Sequence, residues 1–232
     1  MLTQTLALAV LLSAPAAASA TPPAAKPAQS ATAPASAPAS APAIDPARQA
    51  AIVRAHTDRL IDAFKRVKDD DGKLSAADKA QNARAYAELD DMLAREHFTA
   101  IAIAPRQDKF SADELKTFKA EFWDVVQRVA YPGSGAFFRE GEVKIGAPTN
   151  KGDVWTIELN AYVPSEDLET VVGLQWQGGD SMRIVDVLFD GDSLVRDYQN
   201  QFARIVDKDG AKGLLKLLAD KRAELSRPAA AK

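Results

Sequence analysis

The chain of 232 residues contains no cysteine, which excludes a disulfide framework, a thiolate metal site, a cysteine nucleophile and a cysteine-linked N-terminal anchor. Its 29 basic and 32 acidic side chains leave a formal charge of -3, too weak a field to hold a polyanion, so nucleic acid is not an expected partner. Lys and Arg are interspersed with Asp and Glu along helical segments, the pattern of a solvated face.

The N-terminus sets the compartment. Leu6 to Leu12 form a short apolar run that ends in Ala18-Ser19-Ala20, a small-x-small cleavage pattern, so residues 1–20 are expected to be a signal peptide and the mature chain to begin at Thr21. The run is too short to cross a bilayer core, which takes about 20 apolar residues. Residues 21–44 are dominated by Ala, Pro, Ser and Thr with repeated Ala-Pro steps. Such a segment has too little apolar bulk to repay its ordering entropy and is expected to be a disordered linker. Residues 45–227 are enough for one well-cored domain, with 228–232 as a flexible tail.

Asp45-Pro46 is a helix start, a capping side chain followed by the one helical position that suits proline. Ile52, Leu60, Phe64 and Val67 come next at helical spacing, which predicts a helix to about Lys68. Ser75, three residues before Asp78, opens a second helix with Tyr86, Leu89 and Leu93 on its apolar side. The capping box Ser111-Ala112-Asp113-Glu114 opens a third, in which Leu115, Phe118, Phe122, Val125, Val126 and Val129 form a broad stripe. This helix is expected to stop at Pro132-Gly133.

After Gly135 the apolar period changes from near four to two, as it does where helices give way to antiparallel strands. Phe137, Val143 and Ile145 are assigned to a first strand. Trp155, Ile157, Leu159, Ala161 and Val163 alternate with polar residues on a second, Val172, Leu174 and Trp176 on a third, and Val185, Val187 and Phe189 on a fourth. Gly178-Gly179-Asp180 supplies the turn between the last two. Ser193 caps a helix carrying Leu194, Val195, Tyr198, Phe202 and Ile205, and Leu214 to Leu225 gives one more. Helices, then strands, then helices is an α+β order: helices packed on a curled antiparallel sheet of about four strands.

The segment Met182 to Val195, with Asp190-Gly191-Asp192-Ser193-Leu194 at its turn, continued by Tyr198, Gln201-Phe202 and Asp209 to Leu215, resembles the MlaC family, also called the toluene-tolerance auxiliary family. Leu89 to Phe98 and Phe110 to Tyr131 resemble the family's central helical part, and the match spans most of residues 50–225. The chain departs from the family pattern at Asp192, where a small apolar residue is usual, and at Pro132-Gly133-Ser134-Gly135. The resemblance implies a nuclear-transport-factor-like cone with an apolar pocket that takes the acyl chains of a phospholipid. It further implies a monomeric periplasmic carrier in a Gram-negative bacterium, working between an outer-membrane lipoprotein complex and an inner-membrane ABC transporter to maintain outer-membrane asymmetry. A sister branch is associated with hopanoids, so a hopanoid or another hydrophobic small molecule is an alternative cargo.

Alternating strand residues and an aromatic helical stripe more often build an ordinary core than a cavity, and it is the resemblance that points to a cavity. On that reading the lipid-binding residues are Phe118, Phe122, Trp155, Ile157, Leu159, Val172, Leu174, Val185, Val187, Phe189, Tyr198 and Phe202. A lipid with about 30 methylenes, at about 0.8 kcal/mol each, would pay roughly 24 kcal/mol to cross water unaided. No Walker or GxGxxG pattern is present, so no nucleotide site and no cofactor are expected, and direction would come from the partners.

Two other functional classes find less support. Asp69, Asp71, Gly72 and Asp78 between two helices imitate a calcium loop, but Val67 falls on the first ligand position and Asp78 is shorter than the usual final Glu, so no metal site is expected. A cone-fold enzyme has little to work with. His56 and His97 stand in separate helical segments, Gly133-Ser134-Gly135 lacks the context of a nucleophile elbow, and alternation turns Asp186 away from Val185 and Val187. No catalytic residue is assigned.

Overall fold

The computed structural model describes residues 45–68 and 74–226. Within them, Pro46–Arg66 form α1, Ala76–Met92 α2, Arg95–Ile103 α3, and Ala112–Glu140 α4. Strands Glu142–Ile145 (β1), Thr149–Lys151 (β2), Val154–Val163 (β3), Leu168–Gln177 (β4), Arg183–Phe189 (β5) and Asp192–Ser193 (β6) come next, and Leu194–Leu225 form α5. The expected α+β order holds. The expected signal peptide, linker and tail lie outside the described residues.

The helix starts are built as the sequence suggests. The Asp45 side chain accepts from Ala47 N–H, and Ser75 and Ser111 each form a reciprocal capping box, with Asp78 and Glu114 respectively. Strands β2 and β6, a 3-10 turn at Ala104–Lys109, an isolated bridge at Leu93 and the helix α3 have no counterpart in the sequence reading. Leu93 leaves α2 to make an isolated bridge with Ile184 of β5, and a separate helix, α3, begins at Arg95.

Helix α4 does not stop at Pro132-Gly133. It runs on to Glu140, which moves Phe137 from the expected first strand onto the helix and leaves Val143 and Ile145 in β1. Proline removes one backbone donor from the helix and a glycine costs about 1 kcal/mol, but tertiary packing overrides both. A Cβ on Gly135 would sit 3.0 Å from the Phe64 carbonyl oxygen and 3.1 Å from Val67 Cβ, so the missing side chain is what lets α4 lie against the end of α1. Phe138 stacks on Phe64 at 5.6 Å, and the Arg139 guanidinium donates to the Val67 carbonyl.

The sheet is antiparallel in the order β1-β3-β4-β5-β6, with β2 also pairing with β3. It is regular except between β4 and β5. There Trp176 faces Ile184 and Gln175 faces Asp186, so Val185 is an extra residue, a bulge. The two C-terminal helices expected from the sequence are joined as α5, with a break in helical geometry at Gly210, whose φ is 70°.

The buried apolar residues fall into two clusters. The first joins α1, α2 and the sheet through residues such as Leu60, Phe64, Leu89, Ile157, Leu159, Leu174 and Trp176. The second joins the first half of α4 to α5 through Phe118, Phe122, Tyr198, Phe202 and Leu214. Val126, Val187 and Phe189 pack against both. Among the described residues no helix is long and apolar enough to cross a membrane.

Candidate functional site

A cavity of about 120 Å³ lies along the seam between the two clusters. Helix α1 contributes Leu60 and Phe64, the α2–α3 junction Leu93 and Phe98, and α5 Leu194 and Tyr198. The sheet contributes Thr170, Val172, Leu174, Ile184, Val187 and Phe189. The longest wall is α4, through Phe122, Trp123, Val126, Val129, Ala130, Tyr131, Gly133, Ser134, Phe137 and Phe138. Val126, Val129, Gly133, Ser134 and Phe137 of α4 and Val187 and Phe189 of β5 keep partial exposure.

Among the described residues no Asp, Glu, Lys, Arg or His lines the space, and the polar tips of Trp123 and Tyr131 are engaged elsewhere. Tyr131 Oη donates to an Asp90 oxygen at 2.6 Å and Trp123 Nε1 donates to the same oxygen at 3.1 Å, while Gln127 Nε2 donates to the other at 2.7 Å. This three-donor clasp ties α4 to α2 and leaves the rings to face the cavity. Burial, and then the Asp90 hydrogen bond, hold the Tyr131 phenol far above its ordinary pKa, and burial raises that of Tyr198. Both stay neutral. Apart from the hydroxyls of Thr170, Ser134 and Tyr198, the side chains bordering the cavity offer dispersion contacts and hydrophobic burial, with no charge to hold an ion.

Of the twelve residues expected to line a pocket, Phe122, Val172, Leu174, Val187, Phe189 and Tyr198 do so. Phe118 and Phe202 lie in the second cluster, against each other at 5.6 Å. Ile157 and Leu159 are fully buried in the first cluster, and Trp155 packs on that cluster's edge. Val185 is carried off the cavity face by the bulge, and Ile184 takes its place. The α4 residues beyond Phe122 are absent from the expected set, although Val126, Val129, Ala130, Gly133 and Phe137 keep helical spacing straight through the proline. That unbroken period was the available signal.

Asp186 is not an isolated acid. Its carboxylate accepts from Ser193 Oγ and, at 3.2 Å, from Val195 N–H, so it caps the start of α5 together with Ser193. Gly133-Ser134-Gly135 lies inside α4 and is no elbow. His97 is exposed on α3 and His56 is half-buried on α1. The Asp69 to Lys73 part of the calcium-like loop lies outside the described residues, and the Asp78 carboxylate is engaged in the capping box with Ser75. Among the described residues no group of three or more His, Asp and Glu could hold a metal ion.

Against known families, the model for MlaC protein matches residues 58–220. The chain belongs to the MlaC family. Among solved structures, the MlaC-family fold is matched by a phospholipid-binding protein from Ralstonia solanacearum, determined in complex with a phospholipid. The two share 17% identity over 77% of this chain and 98% of that one, with a TM-score of 0.60, a likeness of fold. A comparison with curated proteins gave no match.

Proposed function

We propose that this protein is a periplasmic lipid carrier that holds a phospholipid by its acyl chains and moves it between the outer and inner membranes. The observation that carries the reading is the uncharged cavity between helices and sheet in a chain of the MlaC family. The phospholipid complex of the Ralstonia protein supports it. On this reading an outer-membrane lipoprotein complex and an inner-membrane ABC transporter supply direction, and their traffic keeps the outer membrane asymmetric.

The cavity is smaller than its proposed cargo. Pockets for drug-sized ligands run from about 300 to 1,000 Å³, and a cavity of roughly 150 Å³ accepts a molecule the size of benzene. At about 120 Å³ the cavity is too small for a phospholipid's acyl chains, and on this reading it widens on loading. The seam is where it can widen, because the two clusters are each packed within themselves and meet there through few side chains. Pro132 and Gly133 make the part of α4 around Gly133 and Ser134 the weakest of that wall by helix propensity.

The test is mass spectrometry of the organic extract from protein purified without detergent, combined with uptake of labelled phospholipid from vesicles by delipidated protein. Copurified phospholipid and saturable uptake are expected. A hopanoid in the extract would redirect the cargo assignment, and no extractable lipid together with no uptake would end the carrier reading.

A further inference from the structure

Away from the cavity wall, α1 and β4 bury four polar atoms that have no hydrogen-bond partner in the protein: Gln49 Nε2 and Oε1, His56 Nδ1 and Trp176 Nε1. Gln49 is 5% exposed and Trp176 fully enclosed. Gln49 and His56 are two helical turns apart and share a face of α1, and the His56 ring stands 5.7 Å from the Trp176 ring. His56 and Trp176 stand in the layer next to the cavity. Leu60 lies one turn beyond His56, Leu174 is two residues from Trp176 along β4, and Ile184 pairs with Trp176 across the bulge; all three line the cavity.

The hydrogen-bonding capacities of these atoms complement one another. The Trp176 indole can only donate. The His56 imidazole is held neutral by burial and by the nearby Arg59 charge, with a hydrogen bond to the Asp180 backbone pulling the other way. Since Nδ1 has no partner, that interaction falls to Nε2–H, and in the neutral ring Nδ1 is the acceptor. Gln49 brings one acceptor and one two-proton donor. Buried polar atoms left without partners are rare in folded proteins, and a water molecule, with two protons and two lone pairs, can meet a donor and two acceptors at once.

We propose that Gln49, His56 and Trp176 form an internal water-binding site that joins the first turns of α1 to β4. One or two ordered waters accept from Trp176 Nε1 and donate to His56 Nδ1 and Gln49 Oε1. The site is independent of the cargo assignment.

A high-resolution crystal structure of the whole protein tests this directly. An ordered water within about 3.2 Å of both Trp176 Nε1 and His56 Nδ1 is the expected result. Direct pairing of the side chains, an empty space, or a non-water molecule in the density would overturn it. In solution, water-proton relaxation should report one or two long-lived waters here that are lost in Trp176→Phe. Should that variant fail to fold, Gln49→Leu serves as the second probe, and a long-lived water count unchanged in the folded Gln49→Leu protein would also count against the site.

Discussion

In the second cluster the rings of Phe118, Phe122, Tyr198 and Phe202 pack on one another at centroid distances of 5.0 to 5.6 Å. Around Phe64 in the first cluster, Tyr131 and Phe138 stand at 5.9 and 5.6 Å, and all three rings turn one side to the cavity. The same residue types thus serve two purposes. Where the rings of Phe118 and Phe202 are enclosed by other rings the region braces α4 to α5, with Phe122 and Tyr198 at its cavity edge; around Phe64, where Tyr131 is held through Asp90, space remains beside the rings.

The largest expected effect is on the brace. Phe202→Ala, which removes a ring from a fully packed site, should cost about 3–5 kcal/mol in denaturant unfolding while leaving the composition of any copurified lipid unchanged. A changed lipid profile would erase the distinction between the two clusters. Next comes the clasp. Asp90→Ala strands the Trp123, Gln127 and Tyr131 donors and should cost about 1–3 kcal/mol, with a fall in lipid uptake because the longest cavity wall is no longer held to α2. Ala130→Leu, which adds three carbons to a buried site beside the cavity, should cost about 1–3 kcal/mol and reduce uptake from vesicles by more than Phe202→Ala does per folded molecule.

The smallest effect is on pH. His56 in the folded chain has its pKa lowered below the ordinary 6.5, chiefly by burial and then by Arg59. The unfolded chain therefore binds the proton first as pH falls, and stability should be flat above about 6.5 and decline below it. Thermal unfolding between pH 5 and 8 checks this, and His56→Leu should flatten that part of the curve. A decline of equal size in the variant would assign the acid sensitivity to other groups.

Much of the fold was legible in the sequence because its signals are local. Caps at Asp45, Ser75, Ser111 and Ser193 and the alternation in β3 and β4 need only a few neighbouring residues to be read. What escaped depended on distant partners. The continuation of α4 past Pro132 rests on Gly135 meeting α1 and on Phe138 meeting Phe64, about seventy residues away in the chain, and single-residue propensities carry no trace of that. Half the expected lining set was displaced for a related reason: periodicity identifies the buried face of an element but not whether its neighbour fills the space opposite. The Phe122 and Phe202 rings stand 5.1 Å apart, and of the two only Phe122 borders the cavity.

The extra residue in β5 has a structural reach beyond its own position. With Val185 set aside, Ile184, Asp186 and Val187 would alternate without interruption, so the strand carries a regular pattern with one unit inserted. An insertion of that kind bends and twists its strand. The curvature of the sheet under the seam is thus governed by chain length at a single site, and excising Val185 would keep Ile184, Val187 and Phe189 on one face while flattening the surface beneath the cavity.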